Sequence, residues 1–223
     1  MNNSLNCKFL FSFSSALFES IFSNFDYPWQ IVPHIKEITE RMIERGIDGY
    51  SLLCDGILIG KDARIAPSAL ITPPAIIGHN TEIRHGAYIR GSVIIGEMCV
   101  IGNSSEVKNS IIMDRSEIPH FNYVGDSVLG EHAHLGAGAI CSNLRSDRQA
   151  VKIKVGSGYI DTGFRKLGAI LGDNVEIGCG AVLSPGTVVG KNTSVYPLTM
   201  TRGYYPENSI VKRDDSVVQK RLD

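Results

Sequence analysis

Five histidines in the body of this chain, His79, His85, His120, His132 and His134, and five cysteines are the first side chains to consider for chemistry. Three imidazoles converging across an interface would suit a zinc hydratase, since a catalytic zinc takes three protein ligands and keeps one position open. Among these, only His132 and His134 are spaced to share a face, and the set lacks the pattern that a hydratase of the γ-carbonic-anhydrase type needs. Cys7, Cys54, Cys99, Cys141 and Cys179 are odd in number and widely spaced, with no C-x-x-C pair, so they read as reduced thiols of a cytoplasmic protein. No metal is expected.

The elements that must hold these side chains follow from a repeat. The chain has 223 residues, 43% hydrophobic and 20% charged, with a net charge of -1. That balance offers no general attraction to nucleic acid or to anionic lipid. From Ile59 an aliphatic residue recurs every six positions: Ile65, Ile71, Ile77, Ile83, Ile89, Ile95, Ile101, Val107 and Met113. It resumes in a shifted register at Leu129 and Leu135, and again from Leu171 through Ile177, Leu183 and Val189 to Val195. Neither a helix nor a plain strand has this period; a hexapeptide β-helix does, each hexad forming one side of a coil and pointing one aliphatic side chain inward. Small residues four positions later, such as Ala63, Ala69, Ala75 and Ala87, would fill the remaining interior. Three hexads per coil and about 4.8 Å per coil predict roughly seven coils and a prism about 30 Å long. The expected fold class is all-β, a parallel β-helix over residues 51–223.

Residues 1–50 read as a short helical arm capping that prism. Leu10, Leu17, Phe18, Ile21 and Phe22 fall at helical spacing, and Ile35, Ile38, Met42 and Ile43 make a second stripe that stops at Gly46. The apolar run from Phe9 to Phe18 is short, follows a single Lys8 and precedes Glu19 without a small-residue cleavage site, so a packed helix is favoured over an export signal. No segment reaches the roughly 18 to 20 apolar residues of a membrane span. Neither G-x-x-x-x-G-K-S/T nor G-x-G-x-x-G occurs in the arm.

Stacked aliphatics are structural, so function is sought where the pattern breaks. In the first break Pro119 and Gly125 take positions that the period would give to aliphatics, which sets His120, Phe121, Asn122 and Tyr123 outside the regular core. The second is an inserted loop over about 144–167, LRSDRQAVKIKVGSGYIDTGFRKL, long enough to expect a functional role. A C-terminal tail is expected from about 206.

The stretches GNSSEVKNS, IPHFNYVGD, LGEHAHLGAGA and CSN, in this order, resemble the acetyltransferase domain of the bifunctional enzyme that makes UDP-N-acetylglucosamine. The run NLRSDRQAVKIK…IDTGFRKLGAILGDNVEIG is similar to its archaeal sugar-1-phosphate nucleotidylyltransferase and acetyltransferase relatives. The resemblance covers about residues 55–212, and the H-x-x-Y-x-G-D element with Asn143 downstream is its most selective part. It implies a left-handed coil, acetyl-CoA as co-substrate, an amino-sugar phosphate as acceptor, and a homotrimer with acetyl-CoA between neighbours.

The resemblance also implies site residues. His120 matches the base that takes a proton from the sugar amine, a task suited to an imidazole, and Glu106 matches the carboxylate that orients it. Tyr123 and Asn143 match residues that position the sugar and stabilise the oxyanion. Arg90 and Lys108 match the cations that hold the sugar phosphate. Gly136, Ala137 and Cys179 align with the cofactor channel, whereas Cys141 reads as core. His134 replaces an asparagine that contacts the sugar, and Gln149 replaces a phosphate-binding lysine, with Arg148 and Lys152 nearby to substitute for it. The relatives' nucleotidyltransferase domain has no counterpart in this sequence. A separate nucleotidyltransferase partner is therefore one expectation, and a non-catalytic scaffold binding a nucleotide sugar is the alternative function.

Overall fold

The structure is a computed structural model that describes residues 3–214 and 216–221. From Ile57 the chain winds through three parallel sheets in turn, called here the first, second and third faces. The first face begins with Ile57–Gly60 and Ala75–Ile77, the second with Arg64–Ile65 and Glu82–Ile83, and the third with Leu70–Thr72 and Tyr88–Arg90. The third sheet has seven strands, one from each complete coil, and an eighth coil contributes to the other two. The expected parallel β-helix is therefore present. Antiparallel strands close the ends: Tyr50–Cys54 on Ile57–Gly60, and Val217–Gln219 on Ser209–Val211. The segment read as a tail from about 206 thus carries on the stack.

The inward side chains form one column of core. Ile77, Ile95, Ile112, Leu129, Leu171 and Val189 stack from the first face, all buried, with Ala87, Cys99, Ala133 and Ala181 in the narrow corners. Polar interior residues are satisfied locally, as where Thr81 Oγ1 donates to the Gly96 carbonyl at 2.7 Å. Stacking requires glycine where coils approach: a Cβ on Gly78 would lie 2.2 Å from the Gly96 carbonyl oxygen.

The first break is a change of register, not a departure from the core. Ala75 pairs with Val93, 18 residues on, but Val93 pairs with Ser110 and Ile111 with Val128, each 17 on. Two coils are each one residue short at the corner between third and first faces. Ile112 therefore takes the inward position that the period assigned to Met113, while Met113 packs outside. Ile118 and Val124 fill the interior normally, so Pro119 and Gly125 are outward neighbours of core residues and His120–Tyr123 is an ordinary corner of the fourth coil.

The arm does not cap an end; it runs along the outside of the first face. The outward residues there are also aliphatic, Ile76, Ile94, Ile111, Val128, Ile170 and Val188, and all are fully buried beneath Leu10, Phe11, Phe18, Phe22, Trp29, Ile31, Val32 and Ile35. Covering each contributes about 2 kcal/mol. The second stripe forms the helix Ile35–Arg45, stopped by Gly46 at φ 73°. The first stripe is not one helix. Cys7–Leu10 and Ala16–Phe22 are separate because the chain between them turns at Phe13, φ 50°, and is tied to the prism: Ser12 N–H donates to Asp173 at 2.7 Å, and Ser14 donates through its N–H and hydroxyl to Glu131, each at 2.7 Å.

The inserted segment is closed by a bridge between Leu144 and Lys166 and contains the hairpin Lys152–Val155 with Gly158–Asp161. Val151, Ile153 and Leu167 are buried in the outer layer on the first face, so the insertion extends the arm's cover.

Candidate active site

Four of the residues singled out from the sequence meet where the third face turns toward the first. Arg90 and Lys108 end third-face strands of the second and third coils, Tyr123 starts the strand of the fourth, and Asn143 follows that of the fifth. Consecutive strands pair in register, Glu106 with Tyr88 and with Tyr123, so outward side chains stack about 4.8 Å apart.

The polar contacts at this corner form two groups. In the lower one the Arg90 guanidinium bonds the Glu106 carboxylate at 2.6 Å and sits 5.9 Å from the centre of the Tyr88 ring. In the upper one Asp126, 4% exposed, gathers three partners. Asn143 Nδ2 donates to its Oδ2 at 2.5 Å, Asn109 Nδ2 donates to its Oδ1 at 2.7 Å, and Lys108 Nζ lies 3.4 Å from Oδ2. Asn143 Nδ2 also donates to the Tyr123 hydroxyl at 3.1 Å. Burial, then the charges of Asp126 and Glu106, push the Tyr123 phenol above its ordinary pKa, so its proton stays on across the neutral range.

His120 stands at the neighbouring corner, between second and third faces, and is exposed. Asn122, 3% exposed, fixes that corner by accepting from His120 N–H at 3.0 Å and donating to the Gly136 carbonyl at 2.8 Å. Among the described residues the His120 ring has no hydrogen-bond partner, and Glu106 is bonded to Arg90, not to His120. Ala137 and Cys179 repeat the His120 position on the next two coils: Gly138 N–H donates to the His120 carbonyl and Gly180 N–H to the Ala137 carbonyl. Gly136 is required there, since its Cβ would fall 2.6 Å from Cys179 N. Cys141 is buried in the core, where desolvation pushes its thiol up to about 12.

The remaining expectations lie elsewhere on this chain. His134 is on the second face, where its Nδ1 lies 2.9 Å from Glu176 Oε2 beside a shallow cavity of about 560 Å³ lined also by Arg115, Glu117, His132 and Asn174. Lys152 reaches a cavity of about 430 Å³ with Arg145, Arg202, Ser142 and Ser184, beside the corner that holds Asn143. Arg148 is exposed on the insertion, and its carbonyl accepts from Arg165 Nε at 3.3 Å. Among the described residues no group of three His, Cys, Asp or Glu side chains is arranged to hold a metal ion. No helix among them is long and apolar enough to cross a membrane.

Sequence reasoning gave no role to Asp126 and Asn109. The signal for Asp126 was the last residue of IPHFNYVGD, and for Asn109 an amide in the shortened corner of its coil.

These coils are the part of the chain that matches known proteins. The family described as the GMPPB C-terminal domain matches residues 72–189, more than half of the sequence, and spans the second to sixth coils, which carry Arg90, Lys108, His120, Tyr123 and Asn143. The chain belongs to that family. The chain is also 46% identical over 92 residues to a bifunctional sugar-1-phosphate nucleotidylyltransferase/acetyltransferase of Sulfurisphaera tokodaii, covering 41% of this chain and 23% of that protein. It is 38% identical over 117 residues to the bifunctional protein GlmU of Methanocaldococcus jannaschii, covering 52% of this chain and 28% of that one. The aligned part is thus about a quarter of the length of these curated relatives. A solved structure of a point mutant of AntD, an N-acyltransferase from Bacillus cereus, in complex with dTDP and coenzyme A, superposes with a TM-score of 0.43 at 18% identity, covering 74% of this chain and 84% of the other. The relatives are of the kind that the H-x-x-Y-x-G-D element pointed to.

Proposed function

We propose that this protein is an acetyl-CoA-dependent N-acetyltransferase acting on an amino-sugar phosphate in nucleotide-sugar biosynthesis. The observation that carries the reading is the alignment of Arg90, Lys108, Tyr123 and Asn143 along one edge of the third face, with the exposed imidazole of His120 at the opposite corner of the same face. The two cations suit the phosphate, and the Tyr123 hydroxyl suits the oxygen on which charge develops. In the reaction the sugar amine attacks the thioester carbonyl carbon. The new C–N bond forms, the C–S bond breaks, the amine's proton passes to His120 and from there to the leaving sulfur, and coenzyme A leaves as its thiol. Gly136, Ala137 and Cys179, stacked beyond His120, supply a backbone edge for the cofactor.

The assembly proposed with it is a homotrimer. His134 faces away from Tyr123 on a single prism, and contact between one copy's second face and another's third would bring both to one acceptor. Exposed Ile140, Val182 and Met200 on the third face suit such a contact. A scaffold that binds a nucleotide sugar for a separate nucleotidyltransferase is the second reading, favoured by the engagement of Glu106 with Arg90 instead of His120. Coenzyme A release with glucosamine-1-phosphate and galactosamine-1-phosphate separates the two: turnover lost in His120→Ala supports the enzyme, and absence of both turnover and acetyl-CoA binding supports the scaffold.

A further inference from the structure

The Asn143 amide is committed on its nitrogen side. A carboxylate can only accept, so the group that Asn143 turns toward Asp126 must be its NH2. Both of that nitrogen's hydrogens are then used, one on Asp126 Oδ2 at 2.5 Å and one on the Tyr123 hydroxyl at 3.1 Å. The free end of the amide is Oδ1, an acceptor. Tyr123, having accepted from Asn143, keeps its own O–H to give away. Asp126 is in turn fixed by Asn109, whose Nδ2 also lies 3.3 Å from the Val32 carbonyl of the arm, and by Lys108.

We infer that Asp126 is a positioning residue: it turns the Asn143 amide so that its carbonyl accepts a hydrogen from the acceptor amine, and it leaves the Tyr123 hydroxyl as the donor to the thioester oxygen. This rests on the acetyltransferase reading and changes what Asn143 does within it, from oxyanion donor to amine acceptor. An amine held by an acceptor on one N–H has its lone pair directed away from that bond, as attack requires. The buried carboxylate acts through Asn143 and does not itself meet the substrate.

The test is a double-mutant cycle on kcat with acetyl-CoA and glucosamine-1-phosphate, using Asp126→Asn, Asn143→Ala and both together. An asparagine at 126 can face Asn143 with either end of its amide, so the orientation is lost. Asp126→Asn is expected to lower kcat at least thirtyfold with KM for the sugar changed less than threefold. In the Asn143→Ala background it should lower kcat by less than threefold, because there is no amide left to turn. Wild-type kcat in Asp126→Asn, or a further loss of threefold or more on top of Asn143→Ala, overturns the proposal. A second measurement stands apart from turnover and from the folding of the variants: the Asn143 side-chain NH2 resonances of the wild-type protein. Two exchange-protected protons uphold the orientation, and freely exchanging ones overturn it. Should the wild-type protein transfer no acetyl group, the acetyltransferase reading fails and these resonances alone decide the orientation.

Discussion

The first and third faces of the prism are built on the same interior repeat and differ in one outward residue per strand. On the first face that residue is aliphatic in coil after coil, Ile76, Ile94, Ile111, Val128, Ile170 and Val188, and an arm and an insertion cover it. On the third face it is Tyr88, Glu106 and Tyr123 in the middle coils, and these stay accessible, with Arg90, Lys108 and Asn143 at the adjoining corner. The inward residue decides that the chain coils. The outward one decides whether a face becomes a wall or a site.

The sharpest way to break that comparison is to place the same charge at equivalent positions on the two faces. Ile94→Asp puts an unpaired carboxylate beneath the arm and should destabilise the fold by about 4 kcal/mol or more, whereas Ile140→Asp, on the exposed third face, should cost no more than about 0.5 kcal/mol in the isolated chain. Denaturant titration of both variants measures the difference. Equal losses would mean that the arm does not seal the first face as the structure shows.

The doublets Ile76–Ile77, Ile94–Ile95 and Ile111–Ile112 make this difference legible in the amino-acid sequence, because a strand with water on one side has no use for a second aliphatic. The period of six likewise announces the coil. The one-residue shortening at Ile112 and Leu129 is harder to see, since Met113 is apolar and continues the count while the chain has already turned. In the site, the family resemblance singled out Arg90, Lys108, Tyr123 and Asn143, which lie along one corner of the prism. It could not show that Glu106 turns to Arg90, that His134 lies on another face, or that a buried carboxylate at Asp126 organises the amides, because each depends on which corner a side chain occupies.

A second set of predictions concerns what covers the third face. If its outward aliphatics meet another copy, Val182→Asp should convert a trimer to a monomer in light scattering, while Ile57–Gly60 and the rest of the stack remain folded by circular dichroism. A trimer unaffected by Val182→Asp would place the contact on another face.

Smaller effects sharpen the two-part division of the corner. Arg90→Ala and Lys108→Ala each remove a charge-assisted contact and should raise KM for the sugar phosphate about tenfold with little change in kcat. A fall in kcat at constant KM would assign them to the chemical step. Smallest of all is a labelling difference: burial pushes the Cys7, Cys99 and Cys141 thiols up to about 12, so at pH 8 only exposed Cys54 and Cys179 should react with a thiol reagent in the native protein. Rapid reaction of a third thiol would show that one of the two buried layers is open.

The central claim, that the third-face corner together with His120 transfers an acetyl group to a sugar amine, is tested most directly by coenzyme A release with glucosamine-1-phosphate and galactosamine-1-phosphate in the wild-type protein, His120→Ala and Asn143→Ala. The account predicts turnover with at least one sugar and a fall of at least a hundredfold in both variants. Turnover that survives in His120→Ala, or a wild-type protein that neither turns over nor binds acetyl-CoA, would contradict it.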